Sequence, residues 1–412
     1  MSRSILHCDM NNFYASVECM LDPALRKYPV AVCGSVEERH GIVLAKNYAA
    51  KAFDVKTGDA VWQAKQKCRN LVVVPPHFEE YIKYSKLARS VYSRYTDQVE
   101  PYGMDECWLD VSGTENIFGS PEKVANDIRE TIKFELGLTI SVGVSFNKIF
   151  AKLGSDMKKP DAVTVLDDSN WRERIWPIPV SELLYVGRST TRKLMERCVY
   201  TIGDLAKTDP AYLTSWFGKN GMGLWIFANG EDGSRVMPDG YEAPIKSVGH
   251  GITCSCDLHK NEEVWKVMLE LTQDIGHRLR EYHLCAKGVK LYIRENELDG
   301  MMHQMQLPYP SQSPMEIAQA GRVLLEKWYH WQKPVRAVCV TAINLVPEER
   351  PVQLDMFGDE NARMKRQKLE NCVDEIRSRF GKRSIYAASL MGDLHMPGDG
   401  RHEVTMPGMM YT

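Results

Sequence analysis

The sequence predicts an α+β protein built from several domains. Three observations carry this. The chain is too long for one core, its first part alternates short apolar runs with helical patterns, and a second such alternation follows a glycine-punctuated helical segment. At about 150 residues per domain, the 412 residues imply two to four domains. A composition of 44% hydrophobic and 26% charged residues is that of a globular chain with cores to bury, not of a disordered one.

The elements follow in order. Residues 4–9 are an apolar run ending in Asp9. Asn11 and Asn12 come next, then Phe13, Tyr14, Val17, Met20 and Leu21 at helical spacing. Asn is a favoured helix cap, so strand, tight turn and helix are expected, with Pro23 closing the helix. Strands are expected at 30–34 and 41–44, and a helix from Asn47. Val72 to Pro75 reads as a strand and Tyr81 to Tyr95 as a helix. In 107–111, Cys107, Leu109 and Val111 alternate with Trp108 and Asp110, the period of a half-buried strand. A helix at 124–134, a strand at 138–144 and a helix at 147–157 complete the first α+β part. Residues 166–233 are helical and interrupted by Gly187, Gly203, Gly218, Gly221 and Gly223. A linker near Pro238 leads to 243–346, where strand and helix alternate as β-α-β-(β)-α-β. In the tail, Leu369, Val373, Ile376 and Phe380 lie at helical spacing on a charged segment, the pattern of an amphipathic helix.

Composition excludes several classes. No run of about 18 apolar residues exists, so no membrane-spanning helix is expected. The N-terminus lacks the apolar stretch of a signal peptide, which predicts a cytoplasmic protein. The eleven cysteines contain no C-x-x-C pair, so neither zinc nor a disulfide framework is implied. Cys254 and Cys256 alternate as same-face strand residues would, and mostly buried, reduced thiols are expected. A net charge of −2 argues against indiscriminate polyanion binding, while basic side chains gathered on one face remain able to hold phosphates.

The residues that point to chemistry are Asp9, at the end of a strand and before a helix, and the adjacent Asp105 and Glu106, entering another strand. Carboxylates at strand ends suit hard divalent cations, which take oxygen ligands and share the rest with substrate phosphates. Singly, each also fits a helix cap or an ion-pair partner. A regular strand would send Asp105 and Glu106 to opposite faces. Serving one metal site therefore requires irregular backbone there.

The surrounding motifs narrow this. The run HCDMNNFYASVE from His7 to Glu18, Asn47 and Tyr48 with Lys51, MDECWLD from Met104 to Asp110, SVGVSFNKIFAK from Ser141 to Lys152, and Lys158-Lys159-Pro160 together resemble the Y-family (translesion) DNA polymerases. They occur in that family's order and spacing, over residues 1 to about 350, and are most similar to its bacterial DNA polymerase IV-like members. The resemblance implies a right-hand polymerase: a ferredoxin-like palm (1–10 and 76–165), small fingers (11–75), a helical thumb (166–233), an α+β little finger (243–346) and a tail (347–412). It implies template-directed addition of dNTPs to a primer 3′-hydroxyl by a two-metal mechanism, error-prone and able to pass damaged bases.

Residue by residue, Asp9, Asp105 and Glu106 match the family's catalytic metal ligands, joined by the carbonyl of Met10, for two Mg2+ ions. Asn11, Asn12, Phe13 and Tyr14 match the turn whose N–H groups hold the triphosphate. Tyr48, Lys51 and Lys159 match phosphate contacts, and Tyr14 matches the steric gate against ribonucleotides. Lys51 stands where many members have Arg, Gly103 where Ser is usual, Asn11 where a second acidic residue is frequent, and Ile42 and Leu44 where small residues roof the nascent base pair. Residues 181–205 resemble a helix-hairpin-helix, with Tyr185 in place of its first Gly and with Gly187, Arg188 and Ser189 as DNA contacts. Lys246, Ser247, Lys287, Lys290 and Arg294 are candidate phosphate contacts of the little finger. Gln353, Leu354, Met356 and Phe357 resemble the peptide that bacterial polymerases place in the sliding clamp. The implied partners are primer-template DNA, dNTP and the clamp, with the chain a monomer away from membranes. Two other readings share parts of the pattern: a palm-type nucleotidyl cyclase, and a non-catalytic DNA- or clamp-binding relative.

Overall fold

The structure is a computed structural model that describes residues 3–349, 360–392 and 394–397. The described residues form two compact units: residues up to 34 with 42–242, and residues 35–41 with those from 243 onward. Among the described residues no helix is long and apolar enough to cross a membrane.

In the first unit, β1 (Ile5–Met10) is buried along its whole length, as its unbroken apolar run requires. Helix α1 (Phe13–Leu21) follows a two-residue turn. Asn12 adopts φ 49° and its side chain caps nothing. The expected Asn cap is therefore corrected: Asn12 is used for its tolerance of left-handed backbone. β2 (Val30–Cys33), β3 (Val43–Lys46), α2 (Tyr48–Lys51), α3 (Val61–Lys67) and β4 (Val72–Val74) then make a small layer. Its sheet runs β3-β2-β4 over a core that includes Ala31, Val43, Val61 and Leu71.

Next come α4 (Phe78–Tyr92), β5 (Val99–Pro101), β6 (Glu106–Asp110), a single turn α5 (Glu115–Phe118), α6 (Pro121–Leu136), β7 (Ile140–Ser145), α7 (Lys148–Met157) and β8 (Val163–Val165). Their sheet has the order β5-β6-β1-β7-β8, with β1 central and antiparallel to β6 and β7. Alternation sorts β1 into two faces. Leu6, Cys8 and Met10 enter the core with Tyr81, Ala88, Ile128 and Ile132 of α4 and α6. Ile5 packs with Ala151 of α7 on the other side, which places His7 and Asp9 there too. Gly143 lets α7 approach: a Cβ at that position would lie 1.9 Å from the Ala151 carbonyl oxygen. The helices α8 (Trp171–Ile175), α9 (Arg188–Met195), α10 (Ile202–Lys207), α11 (Pro210–Phe217) and α12 (Lys219–Ala228) bury Ile175, Leu194, Ile202, Leu205 and Leu213 in a separate core.

The second unit contains β9 (Ser247–Leu258), α13 (Asn261–Glu281), β10 (Leu284–Glu295), β11 (Gly300–Ser311), α14 (Pro314–Trp328) and β12 (Val335–Pro347). The strands pair antiparallel in the order β11-β10-β12-β9. Val264, Met268 and Ile275 of α13 and Ile317 and Leu324 of α14 pack with Val289, Leu291 and Ile293 of β10. β9 bulges between Thr253 and Leu258. Cys254 is buried and Cys256 exposed, so the two thiols do not share the expected environment.

The tail helix α15 (Glu360–Phe380) forms, and only the middle of the apolar stripe its sequence presents is covered, at the half-buried Val373 and Ile376. Leu369 and Phe380 are 64% and 74% exposed. Polar contacts also hold the helix: Arg280 Nε donates to Asp374 Oδ2 at 2.6 Å, Ser313 Oγ to Glu370 Oε1 at 2.6 Å, and Arg377 Nη1 to Gln273 Oε1 at 3.1 Å. Residues 353–357, with the clamp-like peptide, lie outside the described residues.

Candidate active site

Asp9 and Glu106 stand directly opposite each other on β1 and β6, and opposed residues of an antiparallel pair share a face. Asp105 lies just outside the strand. The backbone bends over residues 102–105 before β6 begins at Glu106. Gly103 takes φ 148° in that bend, a conformation open to glycine. The Asp105 carbonyl accepts the Met10 N–H at 2.9 Å, which fastens the bend to β1. The departure from a regular strand that the sequence demanded is thus present.

Asp9, Met10, Asp105 and Glu106 line one cavity of about 430 Å³. Asn12, Phe13 and Tyr14 enter it from the start of α1, Tyr48 and Lys51 from α2, Leu44 from β3, and Lys159 from beyond α7. Asn47 shapes the α2 side. Its Oδ1 accepts the N–H of Ala50 at 2.9 Å and of Val30 at 3.0 Å, capping the turn that carries Tyr48 and Lys51. The Lys51 ammonium lies 5.6 Å from the Tyr48 ring centroid.

Asn11 departs from its expected place. It is 2% exposed, its N–H is donated to the Thr139 carbonyl at 2.9 Å, and its side chain joins Ser141 Oγ and the Asp161 N–H. With its N–H already used and its residue outside the cavity lining, Asn11 is a structural tie between β1, β7 and the segment after α7.

The electrostatics are those of crowded carboxylates. Burial, reinforced by the neighbouring Glu106 and Asp9 charges, pushes Asp105 up to about 7. Burial also raises Asp9 to about 6 against the opposing ammonium of Lys159, whose Nζ is 2.7 Å from Asp9 Oδ2. Glu106 goes the other way. Against the upward push of burial, the His7 imidazole and the Lys152 ammonium hold it near about 2. Lys152 Nζ is 2.8 Å and His7 Nε2 3.4 Å from Glu106 Oε2. Burial lowers the pKa of His7 itself.

The donor set is all oxygen and strongly acidic, and two of its carboxylates resist carrying charge together. A divalent cation relieves that repulsion, so the residues fit a hard metal ion. Among the described residues no three His, Cys, Asp or Glu side chains gather closely enough to form a metal cluster. Here the charges of Asp9 and Glu106 are met by Lys159 and Lys152 instead.

Lys46, Thr57 and Lys152 were not singled out by the sequence, yet the first two line the cavity and the third pairs with Glu106. Lys46 had a readable signal, since it lies two residues after Leu44 on one strand. Thr57 had none, and Lys152 closed a family motif without being given a role of its own. Elsewhere in the first unit, Gly187 precedes α9, and Gly187 and Arg188 line a shallow pocket with Thr191 and Arg192. Tyr185 takes φ 71°, the left-handed conformation that the glycine usual at this point of the hairpin would supply. In the second unit, Lys246, Ser247 and Lys287 are exposed. Lys290 and Arg294 alternate with the buried Val289, Leu291 and Ile293, and so lie on the sheet face away from the core.

With this geometry in view, the comparisons are specific. Residues 8–156 match the impB/mucB/samB family, and residues 245–356 match the C-terminal domain of the same family. The chain is 51% identical to DNA polymerase IV of Acetivibrio thermocellus over 95% of its own length and 98% of that protein. It is 38% identical to DNA polymerase IV 1 of Bacillus subtilis, over 93% and 92% of the two chains. A solved Y-family DNA polymerase chimera shares the fold, with TM-score 0.73 and 21% identity over 84% of this chain and 99% of that one. The chain belongs to the impB/mucB/samB family. Within it, it is a Y-family protein of the bacterial DNA polymerase IV-like group.

Proposed function

We propose that Asp9, Asp105 and Glu106, with the Met10 carbonyl, hold two Mg2+ ions, and that the cavity around them receives the incoming dNTP. The enzyme is a DNA-directed DNA polymerase that synthesises past damaged template bases. The observation that carries the site assignment is the convergence of these carboxylates with Tyr48, Lys51 and Lys159 on one cavity.

In this reading each residue has a task. The α1 N-terminus directs the N–H groups of Phe13 and Tyr14 at the triphosphate. Lys51 and Lys159 neutralise phosphate oxygens as mobile point charges. Lys159, paired with Asp9 Oδ2 at 2.7 Å, would be free to meet a substrate phosphate when Asp9 holds a metal ion. Tyr14 blocks the 2′-hydroxyl position. Divalent cations bound to the carboxylates supply charge stabilisation to the attacking and leaving oxygens. Gly187, Arg188 and Ser189 offer groups to the DNA backbone, as do Lys246, Ser247, Lys287, Lys290 and Arg294. Gln353, Leu354, Met356 and Phe357 recruit the sliding clamp.

A nucleotidyl cyclase would use similar carboxylates but needs no DNA grip. The match of the C-terminal domain to the same family disfavours it. The test is extension of a labelled primer on intact and lesion-bearing templates with Mg2+. Extension on both is expected. No extension on any template, with DNA binding intact, would overturn the reading.

A further inference from the structure

We propose that Glu18 is a positioning residue for sugar selection, which fixes the ring of Tyr14 by holding the hydroxyl of Tyr81. The inference rests on the reading of Tyr14 as the steric gate and adds the device that aims it.

Glu18 follows Tyr14 by four residues on α1, so the two lie on one helix face. It is 4% exposed. A buried carboxylate persists only where partners replace water. Here Tyr81 donates its hydroxyl to Glu18 Oε1, and His77 Nδ1 lies 3.0 Å from each carboxylate oxygen. Both partners come from the start of α4: His77 precedes the helix and Tyr81 lies one turn inside it. The carboxylate therefore ties α1 to α4 directly beneath the cavity-lining residues.

The tie reaches the gate through aromatic contacts. The Tyr81 ring stacks on Tyr14, with centroids 4.2 Å apart and planes 9° from parallel. Phe78 meets both rings edge-on, at 6.1 Å from Tyr14 and 5.7 Å from Tyr81. Tyr14 in turn lines the cavity with Asp105 and Glu106. Tyr81 is fully buried, and burial together with Glu18 keeps its hydroxyl protonated and donating. A hydroxyl held at one end of the ring removes the freedom of Tyr81 to tilt. A parallel stack passes that restraint to Tyr14.

Glu18 does not line the cavity. A buried apolar residue would pack α1 against α4 without the cost of desolvating a charge. What a carboxylate adds is an anchor, because it holds the Tyr81 hydroxyl in place while Phe78 and Phe13 pack against the ring. A steric gate needs that precision, since the group it must exclude is a single hydroxyl.

The experiment compares kcat/KM for a ribonucleotide and its deoxy counterpart, using the full chain and primer-template DNA. The variants are Tyr14→Ala, Tyr81→Phe and Glu18→Leu. Tyr14→Ala tests the gate itself and should raise relative ribonucleotide use by about 10²-fold or more. Tyr81→Phe keeps the stack and deletes only the hydroxyl. It should raise ribonucleotide use by roughly fivefold to tenfold, with dNTP kcat/KM within about twofold of the parent. Glu18→Leu, which leaves the Tyr81 hydroxyl without its acceptor, should follow Tyr81→Phe. General loosening of the fold would lower both substrates together and leave their ratio unmoved. If Tyr14→Ala relaxes sugar choice while Tyr81→Phe and Glu18→Leu keep the parental ratio, the positioning role is overturned and the gate stands. If Tyr14→Ala leaves the ratio unchanged, the gate reading falls and this inference falls with it. Should Glu18→Leu fail to fold, Tyr81→Phe alone decides.

Discussion

Lys152 and Glu106 form a largely buried ion pair, with Nζ 2.8 Å from Oε2. The pair joins α7 to the first residue of β6, on the sheet face that also carries Asp9. Removing one partner of such a pair leaves an uncompensated charge, at about 3–5 kcal/mol when burial is complete. Glu106 keeps 20% of its side chain exposed, so Lys152→Met is expected near the lower end, about 3 kcal/mol. A divalent cation is expected to restore part of the loss by taking the vacated place beside Glu106. Thermal unfolding with and without Mg2+ checks this. The gain from Mg2+ should be larger in the variant than in the parent, and equal gains would contradict the account.

Gly143→Ala should be among the most damaging small substitutions in the first unit. The added Cβ would meet Ala151 O at 1.9 Å and Ser155 N at 2.5 Å, both of them backbone atoms of α7 that cannot swing aside. Overpacking of this kind costs about 1–3 kcal/mol or more. Because α7 also carries Lys152, and Ser155 Oγ lies 2.8 Å from His7 Nδ1, polymerase activity should fall with stability. Urea unfolding measures the first effect. An unchanged midpoint would show that α7 does not pack on β7 as described.

Much of this arrangement was legible in the sequence, for identifiable reasons. β1 and β7 announce themselves as apolar runs because both are buried on both faces. Strand alternation at the adjacent Asp105 and Glu106 demanded irregular backbone, and the bend at Gly103 supplies it. What was not legible depends on partners distant in sequence. Lys152 meets Glu106 across 46 residues and leaves no local pattern. Asn11 reads as part of a phosphate-holding turn until its N–H is found on Thr139. α15 carries an apolar stripe of which only Val373 and Ile376 are half-buried, and its hydrogen bonds run through Glu370, Asp374 and Arg377 because their partners on α13 and before α14 are polar. Periodicity says which face of a helix is apolar, not which face finds a partner.

The docking of α15 should depend on pH through His277 and Asp374, 3.3 Å apart. Asp374 raises the pKa of His277 above its ordinary 6.5, and this contribution is fully present below 6.5 and lost as pH rises through the raised value. Asp374 is lowered from 3.8: burial opposes, but His277 and Arg280 prevail. Its contribution is present above 3.8 and lost as pH falls through the lowered value. The contribution of this pair to docking is therefore strongest from 3.8 to 6.5. His277 is 54% exposed, so screening keeps the change in the opening equilibrium under about tenfold. Hydrogen exchange of α15 amides should quicken, beyond the intrinsic pH effect, as pH rises above 6.5. His277→Ala should abolish that excess, and an excess that persists in the variant would assign it elsewhere.

The central claim is that Asp105 and Glu106 act with Asp9 as one catalytic carboxylate set. Its most direct test is single-turnover primer extension by Asp105→Asn and Glu106→Gln, with primer-template affinity measured in parallel. Each variant should bind DNA within about threefold of the parent and extend the primer about 10³-fold more slowly or worse, a loss of about 4 kcal/mol in transition-state stabilisation. Extension within about tenfold of the parent by either variant would contradict the assignment.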